Sequence, residues 1–170
     1  MSAGKARWPG RRQRGAGYLV VLFALAAMGL TLAGAGQVWA TAAQREREAQ
    51  LLFVGHQFRL ALASYRDATP VGQPDAPLSL QELVEDRRFP VPRRHLRRLW
   101  RDPFTNRADW ALVKVGERIH GVHSRVDREP LRTAFEPRDA ALVGKNSYAQ
   151  WVFEAQAAPP GAPITGGAPP

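Results

Sequence analysis

RGAGYLVVLFALAAMGLTLAGAGQVWATAAQRERE, residues 14–48, decides what kind of molecule this chain is. It opens at the end of a basic cluster (Lys5, Arg7, Arg11, Arg12, Arg14) and then carries no charge from residue 15 to residue 44. A bilayer core of ~30 Å takes ~20 helical residues, fewer than this run supplies. Tyr18 and Trp39 stand 21 residues apart near its ends. At ~1.5 Å per residue that is ~32 Å, the separation of an interfacial aromatic pair. The N-terminal flank is purely basic, while Arg45-Glu46-Arg47-Glu48 on the other side is balanced. The positive-inside rule therefore places the N-terminus in the cytoplasm and the rest outside it. Three readings compete: a secretory signal cut near Val38-Trp39-Ala40, a plain single-span anchor, and a retained helix that continues into a folded domain. The length of the run, against ~7–15 apolar residues in a signal, and Trp39 beside the cut speak against the first.

The next segment favours the third. Residues 41–68, TAAQREREAQLLFVGHQFRLALASYRDA, hold no proline, and the first one after the run is Pro70. Leu51, Val54, Phe58, Leu62 and Tyr65 recur at three- and four-residue steps, with Arg45, Arg47, Gln50, Gln57 and Arg59 on other faces. The pattern predicts one helix from about residue 16 to about residue 67, ~75 Å long at ~1.5 Å per residue. Its first half, residues 16–44, is apolar all round, and its second half, residues 45–67, is amphipathic. Residues 1–15 form a basic leader, residues 68–154 a small α+β domain, and the Pro/Gly/Ala-rich residues 155–170 a disordered tail.

The chain has 170 residues and a formal charge of +9. Five of its 24 Lys/Arg lie in residues 1–15 with no acid, so the remaining 19 face 15 acids and leave +4 for the rest. With no cysteine, a disulfide scaffold, a thiolate metal site and a cysteine nucleophile are excluded.

Within residues 68–154, Ser79 and Glu82 have the spacing of a capping box ahead of a short helix over residues 80–85. An arginine-rich stretch follows: Arg87, Arg88, Arg93, Arg94, Arg97, Arg98 and Arg101. It reads as a short helix with Leu96, Leu99 and Trp100 inward and the arginines solvated or paired with Glu82, Glu85 and Asp86. Arg93, Arg94, Arg97, Arg98 and Arg101 are the candidate interaction patch. WALVKV and RIHGVHS around Gly116-Glu117 predict a β-hairpin, with Trp110, Leu112 and Lys114 on one face. NSYAQWVFEA, with Tyr148, Trp151 and Phe153, predicts a third strand. Leu51, Val54, Phe58, Leu62, Tyr65, Trp110 and Trp151 are the candidate helix–sheet core.

Chemistry is sparse. His120 and His123 would point to opposite faces of a strand and have no third ligand at sensible spacing. Asp102, Asp109 and Asp127 could serve calcium, but arginines lie alongside and no EF-hand-like run is present. No phosphate-binding glycine loop or nucleophile-elbow motif occurs. Ser124, His123 and Asp127 are three local residues, unlike a folded triad. The expectation is a protein that is not an enzyme, with no cofactor and no metal.

The basic leader ending in Arg14-Gly15, the unbroken long helix, and the segments PLSLQELVEDRRFP, RRLWRDPFTNRADWALV and GVHS resemble the type IV pilin-like proteins, in particular the pseudopilins of type II secretion systems. The resemblance implies a long N-terminal transmembrane and amphipathic helix packed on a small antiparallel sheet. It implies cleavage by a prepilin peptidase between Gly15 and Ala16. It further implies residence in a bacterial inner membrane as a single-pass protein with a periplasmic domain. Partners would be the membrane, other pilin-like subunits and an inner-membrane assembly platform; nucleic acid is not expected. Small residues Ala26, Gly29, Ala33 and Gly36 would let stem helices approach closely. Ala16 stands where the family has Phe or Met, and Val20 where it has Glu. Those departures point from a repeating major subunit towards a tip, initiating or accessory one. The alternative is a monomeric membrane-tethered binding module whose working surface is the arginine patch.

Overall fold

The computed structural model describes residues 14–155, apart from the side chains of residues 14–16 and 30–35. The leader through residue 13, the tail from residue 156, and the side chains of Gly15, Ala16 and Ala33 lie outside the described residues. The chain divides into two compact units, Met1–Ala43 and Gln44–Pro170. The class is α+β: a long helix and a small three-stranded antiparallel sheet.

Helix α1 spans Arg14–Asp67 with no break in its assignment. In the first unit Tyr18, Val20, Phe23, Val38 and Trp39 are all exposed, as are Ala26, Gly29 and Gly36. A Cβ added at Gly29 or Gly36 would meet nothing within 4 Å. Among the described residues no helix is long and apolar enough to cross a membrane.

In the second unit α1 supplies one wall of the core. Leu51, Val54, Phe58, Leu62 and Tyr65 are at most 5 % exposed and join Trp110, Val122, Tyr148, Trp151 and Phe153 in one cluster. Strands β1 (Ala111–Val115) and β2 (Arg118–His123) form a hairpin whose Val115–Arg118 pair leaves a two-residue turn. Gly116 occupies that turn at φ 60°, where a side chain would be strained. Strand β3 (Phe153–Glu154) adds to the other side of β2, giving the order β1-β2-β3. At Gly55 the helix lies close against the sheet: a Cβ there would stand 2.3 Å from the Phe153 ring. Glycine is thus required inside a helix, where it ordinarily costs ~1 kcal/mol relative to alanine.

Several local expectations are corrected. The arginine-rich stretch is not helical: Asp86 and Arg93 pair as an isolated antiparallel bridge, and the amides of His95 and Leu96 both donate to the Leu83 carbonyl, at 2.9 and 2.7 Å. Pro90 and Pro92, which lack the amide a helix needs, reinforce that path. The capping box does not form. Helix α2 is only Gln81–Val84, and Ser79 is not its cap. Glu82 instead accepts from the Leu78 amide at 3.2 Å and from the Tyr65 hydroxyl at 3.0 Å. The third strand shrinks to Phe153–Glu154 because residues Tyr148–Gln150 coil into a 3₁₀ turn capped by Ser147. A second 3₁₀ turn, Pro137–Leu142, lies between β2 and β3. Strand β1 does not bury a face: a bulge between Val113 and Lys114 breaks its alternation, and Leu112 and Val115 are exposed.

Two charged residues of α1 are also buried against expectation. Arg59 is 7 % exposed; it ion-pairs with Asp139 and donates to the Arg138 carbonyl at 3.0 Å. Glu48 is 3 % exposed; its Oε1 accepts from the Tyr148 hydroxyl at 2.7 Å and from the Leu131 amide at 2.5 Å. Gln44 completes this clamp by donating to the Tyr148 oxygen at 2.8 Å and the Glu129 carbonyl at 3.1 Å. Burial, and then the hydrogen bond to Glu48, push the Tyr148 phenol up to about 12.

Replacing Gly55 with alanine should destabilise the protein by about 1–3 kcal/mol through overpacking, despite alanine's better helix propensity. Thermal unfolding of Gly55→Ala should show this loss. The double variant Gly55→Ala/Phe153→Leu should recover part of it relative to Phe153→Leu alone; purely additive losses would show that the ring is not what the added methyl strikes.

Candidate interaction surface

The arginine-rich segment is held against the C-terminal end of α1 by a buried polar hub. Asp86 is 1 % exposed. The Arg88 guanidinium reaches both its oxygens, with Nε 2.9 Å from Oδ1 and Nη2 2.8 Å from Oδ2, and the Arg88 amide donates to Oδ1 at 3.0 Å. The same guanidinium donates to the Tyr65 carbonyl at 3.2 Å and to Thr69 Oγ1 at 2.7 Å, and lies 3.6 Å from the centre of the Tyr65 ring. Arg88 therefore satisfies a terminal carbonyl of α1 and places its charge at the negative end of the helix dipole. Burial alone would raise the Asp86 carboxyl. The hydrogen bonds from Arg88 and His95 outweigh it and hold the group down at about 2. Burial, followed by the hydrogen bond to Glu82, pushes the Tyr65 phenol up to about 12.

His95 bridges this hub to the surface. Its Nε2 lies 3.2 Å from Asp86 Oδ2, and its Nδ1 lies 2.8 Å from Ser64 Oγ. With the proton on Nε2, the imidazole donates to Asp86 and accepts from the Ser64 hydroxyl. Serine, histidine and aspartate thus meet in the order of a hydrolytic triad, brought together from three separate segments that sequence spacing could not connect. The surroundings differ from a hydrolase. Asp86 is already neutralised by Arg88, and the amides of His95 and Leu96 are spent on Leu83 rather than aimed at an oxyanion. The three residues serve to lock the Arg93–Trp100 stretch onto the helix.

Beyond the hub the segment runs back along α1 and presents its charges outward. Arg93, Arg94, Arg97, Arg98 and Arg101 are all exposed. Among the described residues none of the five forms an ion pair, whereas Arg87 and Arg88 pair with Glu85 and Asp86. Arg93 lies over the Phe89 ring at 4.1 Å and Arg98 over Trp100 at 4.2 Å. Arg94 acts on Glu85 only at a distance: the Glu85 carboxyl is lowered first by its hydrogen bond to Arg87, and Arg94 contributes least. The patch is therefore a set of solvated cations braced on aromatic faces, not a spent ion-pair network.

The remaining singled-out residues do separate jobs. Asp102 is buried and organises a turn, accepting the Phe104 amide at 2.8 Å and the Ser124 hydroxyl at 2.6 Å. Asp109 accepts from Thr105 at 2.9 Å, and Asp127 is exposed. His123 Nδ1 lies 2.9 Å from the Ser124 carbonyl. Among the described residues, no group of three or more acids and histidines is placed to hold a metal ion. Comparison with protein-family models, curated proteins and solved structures yields no match.

Because its carboxyl is depressed, Asp86 stabilises the fold above the unfolded carboxylate value of ~3.9, and this contribution is lost as pH falls through about 2. The loss should be on the order of 2 kcal/mol. Asp86→Asn should lack it, and should be less stable at pH 7 by roughly 3 kcal/mol because Arg88 is left buried without its counter-charge. Unfolding curves from pH 6 to pH 2 for both proteins check this: equal acid slopes would remove Asp86 from the account.

Proposed function

We propose that this chain is a pseudopilin-like structural subunit of a type II secretion or type IV pilus-like assembly, held in a bacterial inner membrane by the first part of α1. The observation that carries the reading is a single helix assignment, Arg14–Asp67, that joins an uncharged N-terminal run to the residues lining the core of a helix-plus-sheet unit. A generic anchor meets its domain through a linker; here one helix belongs to both parts. The basic N-terminal flank supports a cytoplasmic N-terminus. The exposed Ala26, Gly29 and Gly36 support close packing of stems against one another.

In this mechanism, by resemblance, a peptidase removes the leader after Gly15 and the stems bundle as subunits leave the lipid. A separate assembly ATPase supplies the work. The domain is displayed outward and performs no covalent chemistry. Val20 in place of the family's Glu removes the buried carboxylate that would pair with a neighbour's N-terminal ammonium. This favours a terminal or accessory position over a repeating one. The unpaired arginines favour a second reading, a tethered binding module that never polymerises.

Mass spectrometry of the chain extracted from its native membrane should find Ala16 as the first residue, and only when prepilin peptidase is present. An intact Met1 would favour the tether, and a start at Thr41 a secretory signal. Cysteines placed at Ala26 or Ala33 should crosslink to other pilin-like subunits; their failure to do so would also favour the tether.

A further inference from the structure

We propose that α1 and the arginine-rich segment form the two walls of one trough that takes an acidic amphipathic helix of a partner protein. The inference goes beyond the assembly reading and holds whether or not the chain polymerises.

One wall is the outer stripe of α1. Gln50, Phe53, Gln57, Leu60 and Ser64 are spaced three, four, three and four residues apart. At ~100° per residue they fall within an arc of about 80°. They flank the buried stripe of Leu51, Val54, Phe58, Leu62 and Tyr65, about 120° round the helix from its centre. Phe53 and Leu60 remain 54 % and 53 % exposed, although each could have been polar at no cost to the core. The other wall is the segment from Arg94 to Asn106, and it runs antiparallel to the helix. One cleft of about 470 Å³ lies between Gln50, Phe53 and Val54 and the stretch from Arg98 to Pro103. The next, of about 630 Å³, lies between Gln57, Leu60 and Ser64 and the stretch from Arg94 to Arg97. The same two walls bound both clefts in register, and Phe53 meets Trp100 edge-on at 5.8 Å on the floor. From Gln50 to Ser64 the trough is ~21 Å long at ~1.5 Å per residue, room for about four helical turns.

The occupant follows from the chemistry of the walls. Phe53 and Leu60, seven residues apart on α1, occupy one heptad position and offer two apolar contacts to a helix laid along them. The arginine wall offers Arg94, Arg97, Arg98 and Arg101, and no acid among the described residues pairs with them. A helix with leucine-like residues on one face and carboxylates along one flank satisfies both walls at once. A second copy of this chain fits poorly, since even without its first fifteen residues it carries a net +4. A nucleic acid would engage the arginines but leave Phe53 and Leu60 uncovered by its phosphates.

The test uses the full chain in phosphocholine-headgroup micelles and two fluorescein-labelled 15-residue helical peptides. Both carry leucines at three- and four-residue steps; one has glutamates along a flank, the other lysines at the same positions. Fluorescence anisotropy should show binding of the glutamate peptide and at least tenfold weaker binding of the lysine peptide. Arg94→Glu/Arg97→Glu/Arg98→Glu/Arg101→Glu should reverse that preference, and Leu60→Ser should weaken the glutamate peptide threefold or more. Should the quadruple variant lose its cooperative unfolding transition, Arg97→Gln/Arg98→Gln is held to a threefold loss. The proposal is overturned by no binding, by equal binding of the two peptides, or by indifference to either set of changes. It is equally overturned if a 20-base-pair DNA duplex binds more tightly than the glutamate peptide. None of these results bears on where the mature chain begins, so the assembly reading stands or falls separately.

Discussion

The folded unit depends on how closely α1 approaches the sheet at Gly55. The sheet is too small to enclose a core by itself: three strands, one of them only two residues long, with an outer strand that has no fully buried residue. The helix must therefore stand as one wall of the core rather than as an accessory. The missing Cβ lets the Phe153 ring come up to the helix at Gly55, and Phe58, Trp110, Trp151 and Tyr148 belong to the same buried cluster as Phe153. Strand β2 contributes Ile119 and Val122 from the middle of the sheet. Packing of this kind rewards complementarity more than area, since each residue has few alternatives.

The long segment between β2 and β3 has almost no regular structure, and polar side chains on α1 hold it in place. Glu48 and Gln44 grip it at Tyr148, Leu131 and Glu129, and Arg59 grips it at Arg138 and Asp139. Buried charges of this kind contribute little net stability over an apolar substitute, but they tolerate few other arrangements. They fix the path of the loop, and the hub of Asp86, Arg88 and His95 does the same for the arginine-rich segment. Two irregular stretches are thereby tied to one helix by charge and hydrogen bonding, in addition to the core contacts of Leu96, Leu142 and Tyr148.

Much of this was legible in the sequence, and the exceptions share a cause. The three- and four-residue recurrence of Leu51, Val54, Phe58, Leu62 and Tyr65 located the core face because helical period and burial coincide there. The hairpin was legible because Gly116 punctuates two β-rich runs. The polar clamps were not legible: Glu48 and Arg59 carry the marks of a solvated face, and only partners 80 to 100 residues away make their burial affordable. The same holds for Ser64, His95 and Asp86, which meet through tertiary folding alone. The arginine-rich stretch had helical spacing, yet Pro90, Pro92 and the backbone bridge between Asp86 and Arg93 chose a bent, non-helical path. That choice sets Arg94 and Arg97 beside one stretch of α1 and Arg98 and Arg101 beside the next.

The irregularity between Val113 and Lys114 has a consequence for crowding. Strand β1 is an open margin of the sheet, with a row of backbone groups able to recruit a neighbouring chain. His120 of β2 is left over opposite the Val113–Lys114 step, so the register shifts there, and the Lys114 ammonium sits beside the break. A distorted ladder of this kind is a poor template for a further strand, which works against ribbon-like association through the sheet.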